Sequence, residues 1–250
     1  IMNYLNNYGE EIALVLIGGV NYYTGQAFDM AAITDKAQNC GCRVGFDLAH
    51  AAGNIKLNLH DWGVDFAAWC GYKYLNGGPG APSGIFIHER HLGRTDFPRF
   101  EGWWGHDKFT RFQMPDDFKP LQTAEAWQLS NPPILSMAAL LASLEIFHKA
   151  GIKNLRQKSE KLTSYLESLI KSELKKEIEI ITPVSPQSRG CQLSLRLLKS
   201  VEETTKQLHK RGVISDWREP DIIRVAPVPL YNSFEDCYNF VQILKDILNE

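Results

Sequence analysis

Four side chains in one stretch of this chain have the types and spacing of a catalytic centre. The stretch runs from Val44 to Ser83, VGFDLAHAAGNIKLNLHDWGVDFAAWCGYKYLNGGPGAPS. It holds two short apolar runs, Arg43–Phe46 and Val64–Cys70, each of a length that suits a buried strand. Asp47 and His50 follow the first run, and Tyr72 and Lys73 follow the second. A Gly- and Pro-rich loop, Gly77-Gly78-Pro79-Gly80-Ala81-Pro82, comes next. In an open α/β sheet, ligands lie just past the carboxyl ends of the strands. Two neighbouring strands would bring a carboxylate, an imidazole, a phenol and an amine into one crevice.

That set of groups suits pyridoxal phosphate, which needs a lysine to bind its aldehyde and an acid to keep its ring nitrogen protonated. Lys73 is the candidate for the first role and Asp47 for the second. His50 could hydrogen-bond the ring hydroxyl or pack on the ring. Each residue alone has an ordinary reading. A lone lysine is usually a solvated charge. An Asp three residues before a His is often a turn, and sometimes a pair of metal ligands; no metal site is expected here. It is the combination that points to the cofactor.

The elements that must position these groups follow from the hydrophobic pattern. Glu11–Ile17 reads as a buried parallel strand. Asp29–Gly41 reads as a helix, capped by Asp29 and ended by Gly41, so strand, helix and strand make a βαβ unit. Ala51–Trp62 would be a loop and a short helix, and Gly84–His88 a strand of the same sheet. Phe97–Asp117 is an irregular aromatic segment, and a long loop of this kind is usually functional. Asn131-Pro132-Pro133 opens a helix that runs to Lys149, with Asn131 as its N-cap. A charged amphipathic helix covers Lys153–Lys176, and a domain boundary lies near Gly151. Beyond it the pattern gives strands 177–181, 192–197, 213–216 and 222–225, and helices 201–211 and 234–248. Ser233 and Asp236 have capping-box spacing at the start of the last helix. The fold class is therefore α/β. Residues 1–150 form part of a large, mostly parallel-sheet domain, and residues 151–250 a small α+β domain.

The order of motifs resembles kynureninase, a pyridoxal-phosphate enzyme of the aspartate-aminotransferase fold. FDLAHAAGN and LHDWGVDFAAWCGYKYLNGGPGAPSGIFIHERH carry the likeness, with Tyr22–Gln26, Gly102–His106, Ser130–Ile134 and Ile223–Pro227 in register. The resemblance runs from about residue 10 to the C-terminus. It implies the PLP-dependent transferase-like fold and hydrolysis of L-kynurenine or 3-hydroxykynurenine to an anthranilate and L-alanine. That reaction belongs to tryptophan catabolism and leads to NAD biosynthesis. The resemblance also implies site roles beyond those above. Trp103 would donate its indole N–H to the cofactor phosphate, and Tyr72 would hydrogen-bond the phosphate and relay a proton. Trp104 and His106 would face the aniline ring. Asn131 would reach phosphate or substrate, and with Ser130 would set preference for the 3-hydroxyl. Arg224, an arginine inside the apolar strand IIRVAP, would clamp the substrate α-carboxylate. Its structural alternative is a pair with a nearby Asp or Glu. Arg218 is expected to be solvated. Gly18 stands where the family carries a small polar residue.

Kynureninases have a long further stretch before the point matched by Ile1, which supplies a phosphate-cradling turn and a ring-stacking aromatic. This chain therefore resembles the C-terminal part of such an enzyme, and alone it would expose the sheet face which that stretch covers. A homodimer is expected because the fold builds its sites at a subunit interface. Two other readings stay open. One is a desulfurase or aminotransferase of the same fold; a desulfurase needs a cysteine on a mobile loop, a signature that Cys191 and Cys237 lack. The other is a non-catalytic piece.

Length and composition set the outer limits. The chain has 250 residues and a net charge of −2, too balanced for a nucleic-acid surface. It has no apolar run long enough to span a bilayer and no secretory pattern. Its five cysteines are odd in number and scattered, which fits reduced thiols in the cytoplasm.

Overall fold

A computed structural model describes residues 1–250. Contacts divide the chain into two units. The first holds residues 1–18, 30–49 and 57–145; the second holds 19–29, 50–56 and 146–250. Two loops of the N-terminal half, 19–29 and 50–56, therefore belong to the second unit, which a single cut near residue 150 does not anticipate.

The first unit is built on a four-stranded sheet of β1 (Leu14–Gly18), β2 (Arg43–Asp47), β3 (Phe66–Trp69) and β4 (Gly84–Ile87), in that order. β1, β2 and β3 run parallel, and β4 returns antiparallel. Helix α1 (Met2–Tyr8) precedes the sheet, and α2 (Met30–Asn39) lies between β1 and β2 in sequence. The two sheet faces differ. Val15, Val44, Phe46 and Ala67 are buried on one face, and Met30, Ile33 and Ala37 are the buried apolar residues of α2. On the other face Leu14 and Leu16 are 46% and 55% exposed and Ile85 is exposed as well. The register puts Gly18, Asp47 and Ala68 on this open face, at the carboxyl end of the three parallel strands. Asp47 is thus displayed, and Phe46 and Leu48 on either side of it are buried, as period-two alternation requires.

Several elements differ from the sequence pattern. Residues 51–62 contain turns and no helix. The helix after Asn131 is α3 (Ile134–Ala150), two residues later than a cap at Asn131 implies. The Met137 N–H donates to the Pro133 carbonyl at 3.0 Å, so Pro133 takes the cap position assigned to Asn131. The cause is the Pro-Pro pair, since a residue before proline is pushed out of the helical region. Most of the apolar side chains of α3 are also exposed, Ile134, Leu135 and Leu141 among them.

The second unit is a four-stranded antiparallel sheet with helices. Its strand order is β5 (Ile178–Ile180), β6 (Leu193–Leu197), β8 (Ile222–Val225), β7 (Asp216–Arg218). Helices α4 (Ile152–Glu173), α5 (Val201–Lys210) and α6 (Phe234–Asn249) complete it. Leu162, Leu166 and Ile170 of α4 pack with Val241 and Leu244 of α6 and with Leu193, Leu195 and Ile223 of the sheet. The expected capping box opens α6: Ser233 Oγ accepts from the Asp236 N–H at 3.1 Å, and Asp236 Oδ2 accepts from the Ser233 N–H at 2.8 Å. β7 lies about three residues later than its apolar run implied, because Val213 turns into the core instead of pairing. No single helix is long and apolar enough to cross a membrane.

Candidate active site

In the first unit the site grows out of the ends of β2 and β3. Asp47 is the last residue of β2 and pairs with Ala68 of β3. Its Oδ1 accepts the Ala49 N–H at 2.8 Å, which fixes the carboxylate at the head of the loop that follows. The Leu48 N–H donates to the Ala68 carbonyl at 2.8 Å, so the ladder continues one residue past the strand. Four residues beyond the end of β3 stands Lys73, half-buried, with its Nζ 5.8 Å from the centre of the exposed Tyr72 ring.

The lysine loop is folded back on itself. The Gly77 N–H donates to the Gly71 carbonyl at 2.9 Å, and the Asn76 N–H donates to the Lys73 carbonyl at 2.9 Å. Asn76 turns the chain at φ 54°, a left-handed conformation that Asn tolerates better than most residues. Gly71 has no room for a side chain, since a Cβ there would sit 2.4 Å from the Pro82 carbonyl oxygen. Helix α3 buttresses this loop, with Ser143 Oγ donating to the Leu75 carbonyl at 2.7 Å. The periodicity of α3 gave no hint of that support.

The aromatic segment holds the next group. Trp103 and Trp104 stand in a short 3₁₀ turn, their ring centres 5.7 Å apart and edge to face. Trp103 is 44% exposed and also meets Phe112 edge-on. The flanking glycines are needed for the chain's own packing: a Cβ on Gly102 would lie 2.1 Å from Leu129 Cα, and one on Gly105 would lie 2.5 Å from the Ala126 carbonyl. The guanidinium of buried Arg111 lies over the Trp104 ring at 4.6 Å and donates to the His106 carbonyl at 3.0 Å. His106 is buried. Its Nδ1 accepts the Lys119 N–H at 3.1 Å, so Nε2 carries the proton and donates to Thr110 Oγ1 at 3.0 Å. Both ring nitrogens of His106 therefore pin its own loop, and only ring carbon is left for another contact. Ser130 and Asn131 are exposed, and Ser130 Oγ donates to Asn131 Oδ1 at 3.1 Å.

A further charged cluster, unforeseen from the sequence, lies at the opposite end of the strands, where β3 begins. Asp65, just before β3, is buried and accepts from the Val44 N–H at 2.8 Å, Arg90 Nη2 at 2.8 Å and His91 Nε2 at 2.6 Å. Burial pushes its pKa up, but these hydrogen bonds outweigh burial and hold it below the ordinary 3.8. The cluster ties β2 and β3 to the turn after β4.

In the second unit, His50 is half-buried with its ring 6.4 Å from that of Tyr22, and its carbonyl accepts from Asn54 Nδ2 at 2.9 Å. Arg224 stands on β8 with a side chain only 11% exposed. Its Nε donates to Asp216 Oδ1 at 2.7 Å, its Nη2 donates to Asp216 Oδ2, and its Nη1 donates to the Tyr22 carbonyl at 2.8 Å. The structural alternative for this arginine, a carboxylate partner, is thus realised in Asp216. Arg218 is not simply solvated, for its Nη2 lies 3.3 Å from the same carboxylate. Cys191 and Cys237 are both buried, and burial pushes the Cys237 thiol up to about 11.

The residues of the first unit fit a pyridoxal ring by the chemistry of the donor set. An acid on an open sheet face stands at the carboxyl end of one strand, and an amine and a phenol follow the end of the next, in a loop too tight at Gly71 for any side chain.

Residues 155–244 match the kynureninase C-terminal domain. The chain is 57% identical over 249 residues to the kynureninase of Koribacter versatilis, covering 100% of this chain and 59% of that protein. It is 58% identical over 245 residues to that of Myxococcus xanthus, covering 98% and 58%. The chain thus spans well under two thirds of the length of these relatives. Among solved structures it is similar to a cysteine desulfurase of Thermococcus onnurineus, with a TM-score of 0.82 at 17% identity, covering 99% of this chain and 63% of that one. It is also similar to an alanine–glyoxylate aminotransferase of Nostoc, with a TM-score of 0.71 at 16% identity, covering 99% and 64%. These structural likenesses show the fold, which is the one the motifs imply.

Proposed function

We propose that the chain is part of a pyridoxal-phosphate-dependent hydrolase of the kynureninase kind, since its length aligns with part of known kynureninases and residues 155–244 match their C-terminal domain. Its substrate is L-kynurenine or 3-hydroxykynurenine, and its products are the matching anthranilate and L-alanine. What supports this reading most is that Asp47 ends β2 and that Lys73 follows, by four residues, the end of the adjacent parallel strand β3. The cofactor, when bound, supplies an electron sink for the substrate carbanion.

The chain's own residues supply the rest. Lys73 Nζ would hold the cofactor by its aldehyde and would serve as the base for the proton on the substrate Cα. The Asp47 carboxylate accepts a hydrogen bond from the ring nitrogen and keeps that nitrogen protonated. His50 meets the ring hydroxyl or the ring face. The Trp103 indole N–H and the Tyr72 phenol would donate to the phosphate, and the phenol would also serve to move a proton to or from the substrate. Trp104 lines the aniline pocket. His106 holds that loop in shape, its nitrogens being engaged by Thr110 and Lys119. Ser130 and Asn131 set the preference between substrates, and Arg224 binds the α-carboxylate. The enzyme works in the cytoplasm as a homodimer, with residues 1–150 as the C-terminal portion of its large domain and 151–250 as its small one.

Burial of Cys191 and Cys237 counts against a desulfurase, which needs a thiol that reaches the substrate. The test is incubation of the pure protein with pyridoxal phosphate and L-kynurenine. Anthranilate and alanine should form in equal amounts. Sulfide release from cysteine, or amino-group transfer to a keto acid with no anthranilate, would replace the proposal with one of its relatives.

A further inference from the structure

The small-domain sheet carries one more charged residue that bears on substrate binding. Asp216 opens β7 and stands directly opposite Arg224 in the antiparallel ladder. Its two oxygens take Nε and Nη2 of the guanidinium, both on one edge of that planar group. A guanidinium has a second edge of the same kind, between Nη2 and Nη1. The Tyr22 carbonyl takes one N–H of Nη1 at 2.8 Å, and that carbonyl also accepts from Gln192 Nε2 at 3.0 Å. Three acceptors thus fix the plane of Arg224. Of its five N–H bonds, two remain, one on Nη1 and one on Nη2. The Asp216 side chain is 48% exposed and Arg218 approaches it as well, so its charge is balanced without a ligand.

We propose that Asp216 is a positioning residue for Arg224: it fills the Nε–Nη2 edge, locks the plane, and leaves the remaining N–H bonds to the α-carboxylate of the amino-acid substrate. The inference rests on the reading of Arg224 given above. A carboxylate that merely stood in for the substrate would need those remaining N–H bonds, and Asp216 uses the other edge. An arginine held in place has already lost the side-chain freedom that binding would otherwise remove. Asp216 therefore aids binding of a carboxylate ligand and does not compete with it.

The experiment compares the cofactor-loaded protein with its Asp216→Asn, Asp216→Glu and Arg224→Lys variants. Two probes are used, L-kynurenine and the amine that lacks its α-carboxylate. Steady-state kinetics are read for the first and equilibrium binding by spectral titration for both, with the melting temperature as a control for folding. Asp216→Asn should raise KM for L-kynurenine about tenfold, leave kcat within about twofold, and leave binding of the decarboxylated amine unchanged, since a hydrogen bond to a charged group is worth about one decade. Asp216→Glu should recover part of the loss. If KM falls in Asp216→Asn, the aspartate competes with substrate and the proposal is wrong. Equal weakening of both probes would make the residue merely structural and overturns it too. An unchanged KM in Asp216→Asn, with a raised one in Arg224→Lys, overturns the positioning role alone. An unchanged KM in Arg224→Lys overturns the reading of Arg224 and this inference with it.

Discussion

Single side chains of the candidate site should differ in what their loss costs. On the proposed roles, Lys73→Ala removes both the bond to the cofactor and the base, so kcat should fall by at least about 1,000-fold. Stopped-flow or endpoint detection of anthranilate measures this directly, and near-normal turnover would exclude Lys73. Asp47→Asn keeps the shape and removes the charge. It should cost about 100-fold in kcat, with the protein still folded, because Asp47 sits on an exposed sheet face and contributes nothing to a core. Arg224→Lys exchanges a planar fork for a point charge. Its KM should rise between about 10- and 100-fold, the worth of one charge-assisted hydrogen bond, while kcat changes less. These candidates stand out in the sequence because each is polar where an apolar strand ends or runs. Asp216 was not legible, since an aspartate near a turn has many ordinary uses and only the ladder shows that it faces Arg224.

At the scale of elements, the lysine loop depends on chain packed against chain. Gly71→Ala would push a methyl group to within 2.4 Å of the Pro82 carbonyl, and backbone cannot yield cheaply there. The loop must open, so cofactor affinity should drop by at least about tenfold for a shift costing 1.4 kcal/mol or more. Titration of the variant with pyridoxal phosphate, read by absorbance, tests this; wild-type affinity would show that the loop tolerates the change. The strands of this element set were readable because apolar runs and glycines mark them plainly. The start of α3 was not, because the Pro-Pro pair displaces the cap from Asn131 to Pro133, and neither proline shows which of them ends the extended chain. The support that Ser143 gives Leu75 spans 68 residues of sequence and has no local signature.

At the scale of the whole molecule, the fold class and the small α+β domain followed from hydrophobic period and turn residues, and the solved relatives share that fold. Loops 19–29 and 50–56 join the second unit through contacts far apart in sequence, such as Gln192 with the Tyr22 carbonyl, which periodicity does not carry. Stability is tied to buried carboxylates that hold their charge. Asp65 titrates below the ordinary 3.8 in the folded protein, its burial outweighed by hydrogen bonds from Arg90, Val44 and His91. A lowered folded pKa means that its contribution is complete above the unfolded value and is lost as pH falls through the folded one. Glu167, whose burial is outweighed by Lys171 and Arg189, acts in the same direction. Denaturant midpoints should therefore hold steady at neutral pH and drop below about pH 4. Asp65→Asn should cost about 3 kcal/mol at neutral pH, since it leaves Arg90 and His91 without their shared anion, and should flatten part of the acid limb. A variant as stable as the parent, with the same acid limb, would show that this cluster is not what holds the amino ends of β2 and β3 to the turn after β4.

The claim on which the rest depends is that one lysine carries the cofactor, and a single measurement addresses it. The protein is saturated with pyridoxal phosphate, reduced with borohydride, digested and mapped by mass spectrometry. The account predicts a visible absorption band that disappears on reduction and a pyridoxyl group on the peptide that contains Lys73. A colourless protein, or the label on a peptide without Lys73, would contradict it.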